Sequence, residues 1–224
     1  MNSKKIAIKF MVITALVLPI GSLPGKTPLS FDAVNYLTPD CQYSNPGKCL
    51  ANKYMSQLVA MGSNIKSEIA TPRFEFIDVN RSKVGGIGFW VNPNSGDPDI
   101  RYLGVAARVN IKCNNFPDND WGRMGDALDA FGKDLFKIMG TTLNAMPDAN
   151  IRGIAVVMIY SKAEMGDPAY YDQAESFVIF IPRESLQKFN SFSLSMNQLF
   201  EQSDTYSFRS KDQIQMVFTD FLRG

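Results

Sequence analysis

The segment CNNFPDNDWGRMGDALDAFG, residues 113–132, gathers the side chains of this chain whose types and spacing most invite a chemical reading. Counted from Asp118 as the first position of a calcium-binding loop, Asp120 falls at the third, Asp126 at the ninth and Asp129 at the twelfth. The remaining positions do not fit. The fifth is Gly122, which has no oxygen to offer, the sixth is Arg123 where a sharp turn wants glycine, and the twelfth lacks the longer bidentate Glu. No EF-type calcium site is expected, and no other metal site either.

The piece GRMGDAL resembles the glycine-bearing turn by which GNAT-type acyltransferases hold the pyrophosphate of coenzyme A at a helix N-terminus after a strand. That family's pattern, however, would place Gly122 where an Arg or Gln belongs, and the acids at 118, 120 and 126 would repel a pyrophosphate. An ordinary helix start explains more of the residues. Asp118 or Asn119 caps the helix, Asp120 adds favourable charge to its first turn, and Trp121 begins a buried stripe. Gly125 and Gly132 beside that stripe imply a close approach of another backbone, since each costs about 1 kcal/mol in a helix interior.

The chain has no histidine, which removes Ser-His-Asp and Cys-His catalysis, His-ligated zinc and the commonest general base at neutral pH. It carries no phosphate-binding G-x-x-x-x-G-K-[ST], no G-x-S-x-G and no H-E-x-x-H. The glycines of VGGIGFW enter a strand rather than leave one, so they read as a hairpin turn and no nucleotide cofactor is expected. Carboxylate pairs remain for a glycoside-type hydrolysis, nominally Asp97 with Asp99 or Glu164 with Asp167. Both pairs lie in turn-rich loops where solvated acids are common.

Location is more legible than chemistry. Lys4, Lys5 and Lys9 precede the apolar run Phe10 to Leu18, and Pro19 breaks it ahead of Gly21 and Ser22. Residues 1–22 are therefore expected to be a secretory signal peptide, with an exported, periplasmic or extracellular product. The run is shorter than the ~20 residues that span a bilayer, so no integral membrane segment is expected after cleavage. In an oxidising compartment Cys41 and Cys49, which bracket a loop centred on Asn45-Pro46-Gly47, are expected to form a disulfide, leaving Cys113 over. Residues 23–49 read as an extended arm and 50–224 as a single domain. The 23 basic and 22 acidic residues leave a net charge of +1, which points to no nucleic-acid partner.

The elements that must position any site follow from periodicity. Tyr54, Leu58, Met61 and Ile65 recur at helical spacing, and a second helix from about Asn119 to Leu143 carries Trp121, Met124, Leu128, Phe131 and Leu135 on one face. Between them RFEFIDV, GIGFWV and YLGVAARVNIK alternate as strands, expected to form an antiparallel meander. IRGIAVVMIY and SFVIFIP are continuous apolar runs, expected at the centre of the sheet with helices on both sides. From Arg183 onward the chain reads as short helices, the last using Ile214, Val217, Phe218 and Phe221. The expected fold class is α+β, with a single, largely antiparallel five-stranded sheet and helices packed on it.

With the odd residues of the third strand turned to the core, Tyr102 and Arg108 share the opposite face, and Trp90 points the same way from the neighbouring strand. Aromatic and Arg residues together are what binding patches use. Tyr170 and Tyr171, on the long loop between the two apolar strands, form a second candidate patch. The function these readings favour is an exported, non-catalytic binding or assembly module acting on a protein or cell-envelope component. The alternative is an exported hydrolase with a carboxylate pair.

Overall fold

The computed structural model describes residues 46–69, 73–76, 86–97, 99–111, 120–161 and 174–208. Two helices come first, α1 (Pro46–Lys53) and α2 (Met55–Ile69), then strands β1 (Phe74–Phe76), β2 (Ile87–Trp90) and β3 (Arg101–Val109). A long helical stretch follows: α3 (Asp120–Ala127), a π-helical turn over Leu128–Gly132, and α4 (Lys133–Asn144). Strands β4 (Ile151–Ser161) and β5 (Ala174–Pro182), helices α5 (Arg183–Asn190) and α6 (Met196–Glu201), and strand β6 (Asp204–Phe208) complete the described chain.

The fold is α+β around one mixed, six-stranded sheet. The main path is β1-β3-β4-β5-β6, with β2 also paired to β3. The expectation of a largely antiparallel, five-stranded sheet is corrected on two points. β3 and β4 run parallel, from Arg101 opposite Ile151 to Arg108 opposite Ile159. A hairpin cannot connect parallel neighbours, and the helical stretch 120–144 is the crossover that returns the chain to the start of β4. The second point is β6, a polar edge strand that lies where short helices were expected and pairs Tyr206 with Val178. The expected meander is altered too, because β1 and β2 each pair with β3 rather than forming a chain of three.

Helix formation follows the stripes. Leu58, Met61 and Ile65 of α2 and Leu128, Leu135 and Met139 of the crossover are all but fully buried in one cluster. Leu103, Val105, Ala107 and Val109 meet them from β3, with Ile154, Val156 and Met158 from β4. The alternation of β3 thus assigns its odd positions to the helix side. Arg183 ties the corner together: its guanidinium donates to the carbonyls of Leu143 (2.9 Å), Met146 (3.0 Å) and Ile151 (3.1 Å), closing the C-terminal end of α4 onto the start of β4.

The opposite face of the sheet holds a second cluster, with Trp90, Tyr102, Ala106, Ala155, Val157, Val178 and Phe180. No residue of a described helix belongs to it. Small residues shape this face. A Cβ on Gly104 would stand 2.3 Å from the Trp90 ring, so the indole lies flat across the β3 backbone. Ala155, one strand over, lets the Tyr102 and Phe180 rings meet edge to face at 5.2 Å across β4.

Of the two helix glycines, Gly132 is tight, with Leu128 Cδ2 2.9 Å from where its Cβ would stand, whereas Gly125 has nothing within 4 Å. The atoms close to Gly132 are the Leu128 and Phe136 side chains of its own helix, so the expected approach of another backbone fails at both glycines. Two substitutions of the same kind should therefore move stability in opposite directions. Gly104→Ala should destabilise by about 1–3 kcal/mol because the rigid indole must move, and Gly125→Ala should stabilise by about 0.5–1 kcal/mol. Urea denaturation reads both; a neutral Gly104→Ala would mean the Trp90 ring is not held against the strand.

Candidate functional site

Trp90, Tyr102 and Arg108 do share the face assigned to them, but Trp90 and Tyr102 are part of the packed interior rather than an open patch. Trp90 is 2% and Tyr102 8% exposed. Arg108, opposite Glu75 in the β1–β3 register, reaches that carboxylate at 4.0 Å as a partly exposed cross-strand pair. Tyr170 and Tyr171 lie outside the described residues, as do Glu164 and Asp167. Cys49 is disulfide-bonded, and Cys41 and Cys113 both lie outside the described residues.

Asp97 and Asp99 are exposed and engaged in a turn. One Asp97 carboxylate oxygen accepts from the Asp99 amide at 2.9 Å, and the Asp97 carbonyl accepts from the Ser95 hydroxyl at 3.1 Å. These contacts describe loop chemistry and set no acid and base around a cleft. Among the described residues no group of three Cys, Asp or Glu side chains is placed to hold a metal ion. No described helix is long and apolar enough to cross a membrane.

Two polar arrangements are buried, and both read as framework. Asn92, at the end of β2, bridges the second face: its amide donates to the Asp204 carboxylate at 2.6 Å, and its oxygen accepts from the Tyr206 hydroxyl at 3.1 Å and the Asn94 amide at 3.0 Å. A loop on one sheet edge is thereby stapled to β6 on the other. Burial pushes the Tyr102 and Tyr206 phenols above their ordinary values, so both remain neutral hydrogen-bonding groups at physiological pH. On the helix side Arg123 of α3 grips Glu175 of β5 with two hydrogen bonds, 2.6 and 2.7 Å, both side chains nearly fully buried. Arg123 is the residue that spoiled the calcium loop, and its fork is used to hold the crossover helix on the sheet.

The surface feature that sequence reasoning missed lies at the end of α5. Phe192 is 96% exposed, the one large hydrophobic fully exposed among the described residues, and its backbone is left-handed at φ 61°. The cause is local. The Ser193 amide donates to the Lys188 carbonyl (2.8 Å) and the Phe192 amide to the Phe189 carbonyl (2.9 Å), the bond pair of a Schellman helix end. Its left-handed position is the one that glycine normally fills. Three residues on, Ser195 and Gln198 form a reciprocal capping box at the start of α6, so the intervening turn is held from both sides. The legible signal was there: SFSLSMNQ carries a capping box directly after a helix that has no glycine to end it.

Beside this aromatic runs a groove of about 260 Å³ between α4 and α5. Gly140, Leu143, Leu186 and Asn190 line it, and the Gln187 amide donates to the Asn144 side-chain oxygen across it at 3.3 Å. The Asn190 amide donates to the Phe136 carbonyl at 3.2 Å by passing where a Cβ on Gly140 would be, 2.4 Å away, so the groove depends on that glycine. Phe189 and Met196 are half-buried and pack against the main core. An exposed aromatic beside a groove lined by amides offers contact surface and hydrogen-bonding groups.

A double-mutant cycle separates framework from surface. Glu175→Ala should cost about 3–5 kcal/mol because it takes both of these bonds from a buried guanidinium, whereas Arg123→Met with Glu175→Leu should cost far less than the two single changes summed. Additive losses in urea unfolding would mean that the two side chains act independently.

Comparison with known proteins finds no matching family model, no similar curated protein and no similar solved structure, so the reading of this chain rests on its own sequence and geometry.

Proposed function

We propose that the protein is an exported, non-catalytic binding or assembly module that engages a protein or cell-envelope component through the end of α5. The observation that carries this reading is Phe192. A side chain whose apolar ring meets water on nearly every side, at a backbone position that a non-glycine residue occupies at a cost, serves no packing purpose within the chain. Buried aromatic anchors of this kind dominate binding energy once a partner covers them. Export is supported by the charged and apolar pattern of the first 22 residues and by the disulfide at Cys49.

The test uses the conflict between stability and contact. Phe192→Gly should stabilise the fold by about 0.5–1 kcal/mol, because the left-handed position no longer carries a Cβ. The same change should abolish retention of the partner when immobilised protein is exposed to soluble and envelope fractions of its source. A variant that is more stable and still retains every partner of the wild type would remove Phe192 from the function.

A further inference from the structure

We infer that the second face of the sheet is the docking surface for the chain's own segment 209–224, laid across it as an amphipathic helix. The inference stands apart from the reading of Phe192 and rests on three observations: the burial of that face, the place where β6 leaves it, and the apolar pattern of the residues that follow.

The face is buried although no described helix lies on it. Trp90 is 2%, Tyr102 8% and Phe180 1% exposed, and Ala106, Ala155, Val157 and Val178 between them are fully buried. Alanine and valine are too short to screen one another from water, and the rings cannot shield their own outer sides. Burial of this degree requires a second layer on the sheet. Every described helix sends its buried apolar side chains to the cluster on the other face, so the layer comes from outside the described residues.

The course of β6 selects the segment. Along the edge of this face Asp204 pairs with Phe180, Tyr206 with Val178 and Phe208 with Ser176, and Tyr206 packs against the second cluster. The chain therefore departs at the Ser176 end of the face, and residues 209–224 follow directly. In them Ile214, Val217, Phe218 and Phe221 recur at helical spacing, with Asp212, Gln215 and Thr219 on the other side. As a helix, residues 214–221 rise about 12 Å, and the strand from Ser176 to Phe180 spans about 13 Å. One pass of the apolar stripe covers the face. Other segments fit it less well. Residues 23–45 carry Pro24, Pro28 and Pro39 and lead into α1, whose Leu50, Ala51 and Tyr54 belong to the helix-side cluster. Residues 162–173 are mostly polar and carry no apolar stripe at helical spacing.

Photocrosslinking of the full chain, with Phe218 replaced by p-benzoylphenylalanine, tests this. Irradiation should join position 218 to second-face residues of β3, β4 or β5, with Ala106, Val157 and Val178 the expected sites on mass-spectrometric mapping. Links confined to the helix side, links only between separate chains, or no links at all overturn the inference. The complementary variant is Phe218→Asp, read by hydroxyl-radical footprinting. Oxidation of Trp90 and Tyr102 should rise severalfold, while Met61 and Met139, buried on the other face, stay protected. Trp90 and Tyr102 that remain as protected as in the wild type also overturn it. If Met61 and Met139 are oxidised as well, the variant has unfolded, and the crosslinked sites, obtained with an aromatic ring still at position 218, decide.

Discussion

The parallel pairing of β3 with β4 is the constraint from which most of the architecture follows. Parallel neighbours cannot be joined by a tight turn, so the chain must leave the end of β3, cross the sheet and return to the start of β4. The crossover is the helical stretch 120–144, whose apolar stripe packs on the odd positions of β3. Everything else on that side is arranged around it: α2 lies against α4, and α5 follows β5 back onto the same helix. The Arg123–Glu175 clasp sets the crossover's first turns on β5, and Arg183 closes its last turn onto β4. The helix is thus fixed at both ends by guanidinium groups, one to a carboxylate and one to carbonyls.

The buried ion pair makes electrostatic sense only because both bonds are short and both oxygens are used. Two charges removed from water lose solvation worth several kcal/mol each, which a single loose contact would not offset. A bidentate fork also fixes orientation, so it specifies where α3 sits on β5 more sharply than apolar contact alone. The π-helical turn at Leu128–Gly132 begins just beyond this clasp. There Gly132 lets the Leu128 side chain lie close to the helix backbone.

The second face obeys a different rule. Its packing is made by flat aromatics lying over small residues: Trp90 on Gly104, and Tyr102 reaching Phe180 across Ala155. Asn92 completes it by bonding both Asp204 and Tyr206 on the far edge, which satisfies its own buried carboxamide. The consequence for function is direct. Aromatic and basic residues that alternate onto one side of a strand are as well suited to this interior as to a binding patch, and only the presence of covering structure distinguishes the two. Among the described residues the large hydrophobic that stands fully exposed is Phe192, at a helix end outside any strand pattern.

Periodicity determined the helices and the two-sided burial of the central strands. Leu58, Met61 and Ile65, the stripe from Met124 to Leu135, and the alternation of β3 all face the core assigned to them, because helical and pleated spacing are local properties of the backbone. The i,i+4 pair of Asp129 and Lys133 was legible for the same reason. The absence of histidine closed whole classes of catalysis without any coordinates. Strand direction, the polar edge strand β6, the Arg123–Glu175 pairing across 52 positions and the exposure of Phe192 were decided only by the tertiary structure. Each depends on which distant segment lies alongside, and neither spacing nor composition carries that: an edge strand is held by main-chain bonds to its neighbour, an ion pair by burial from both sides, and an exposed ring by what fails to cover it.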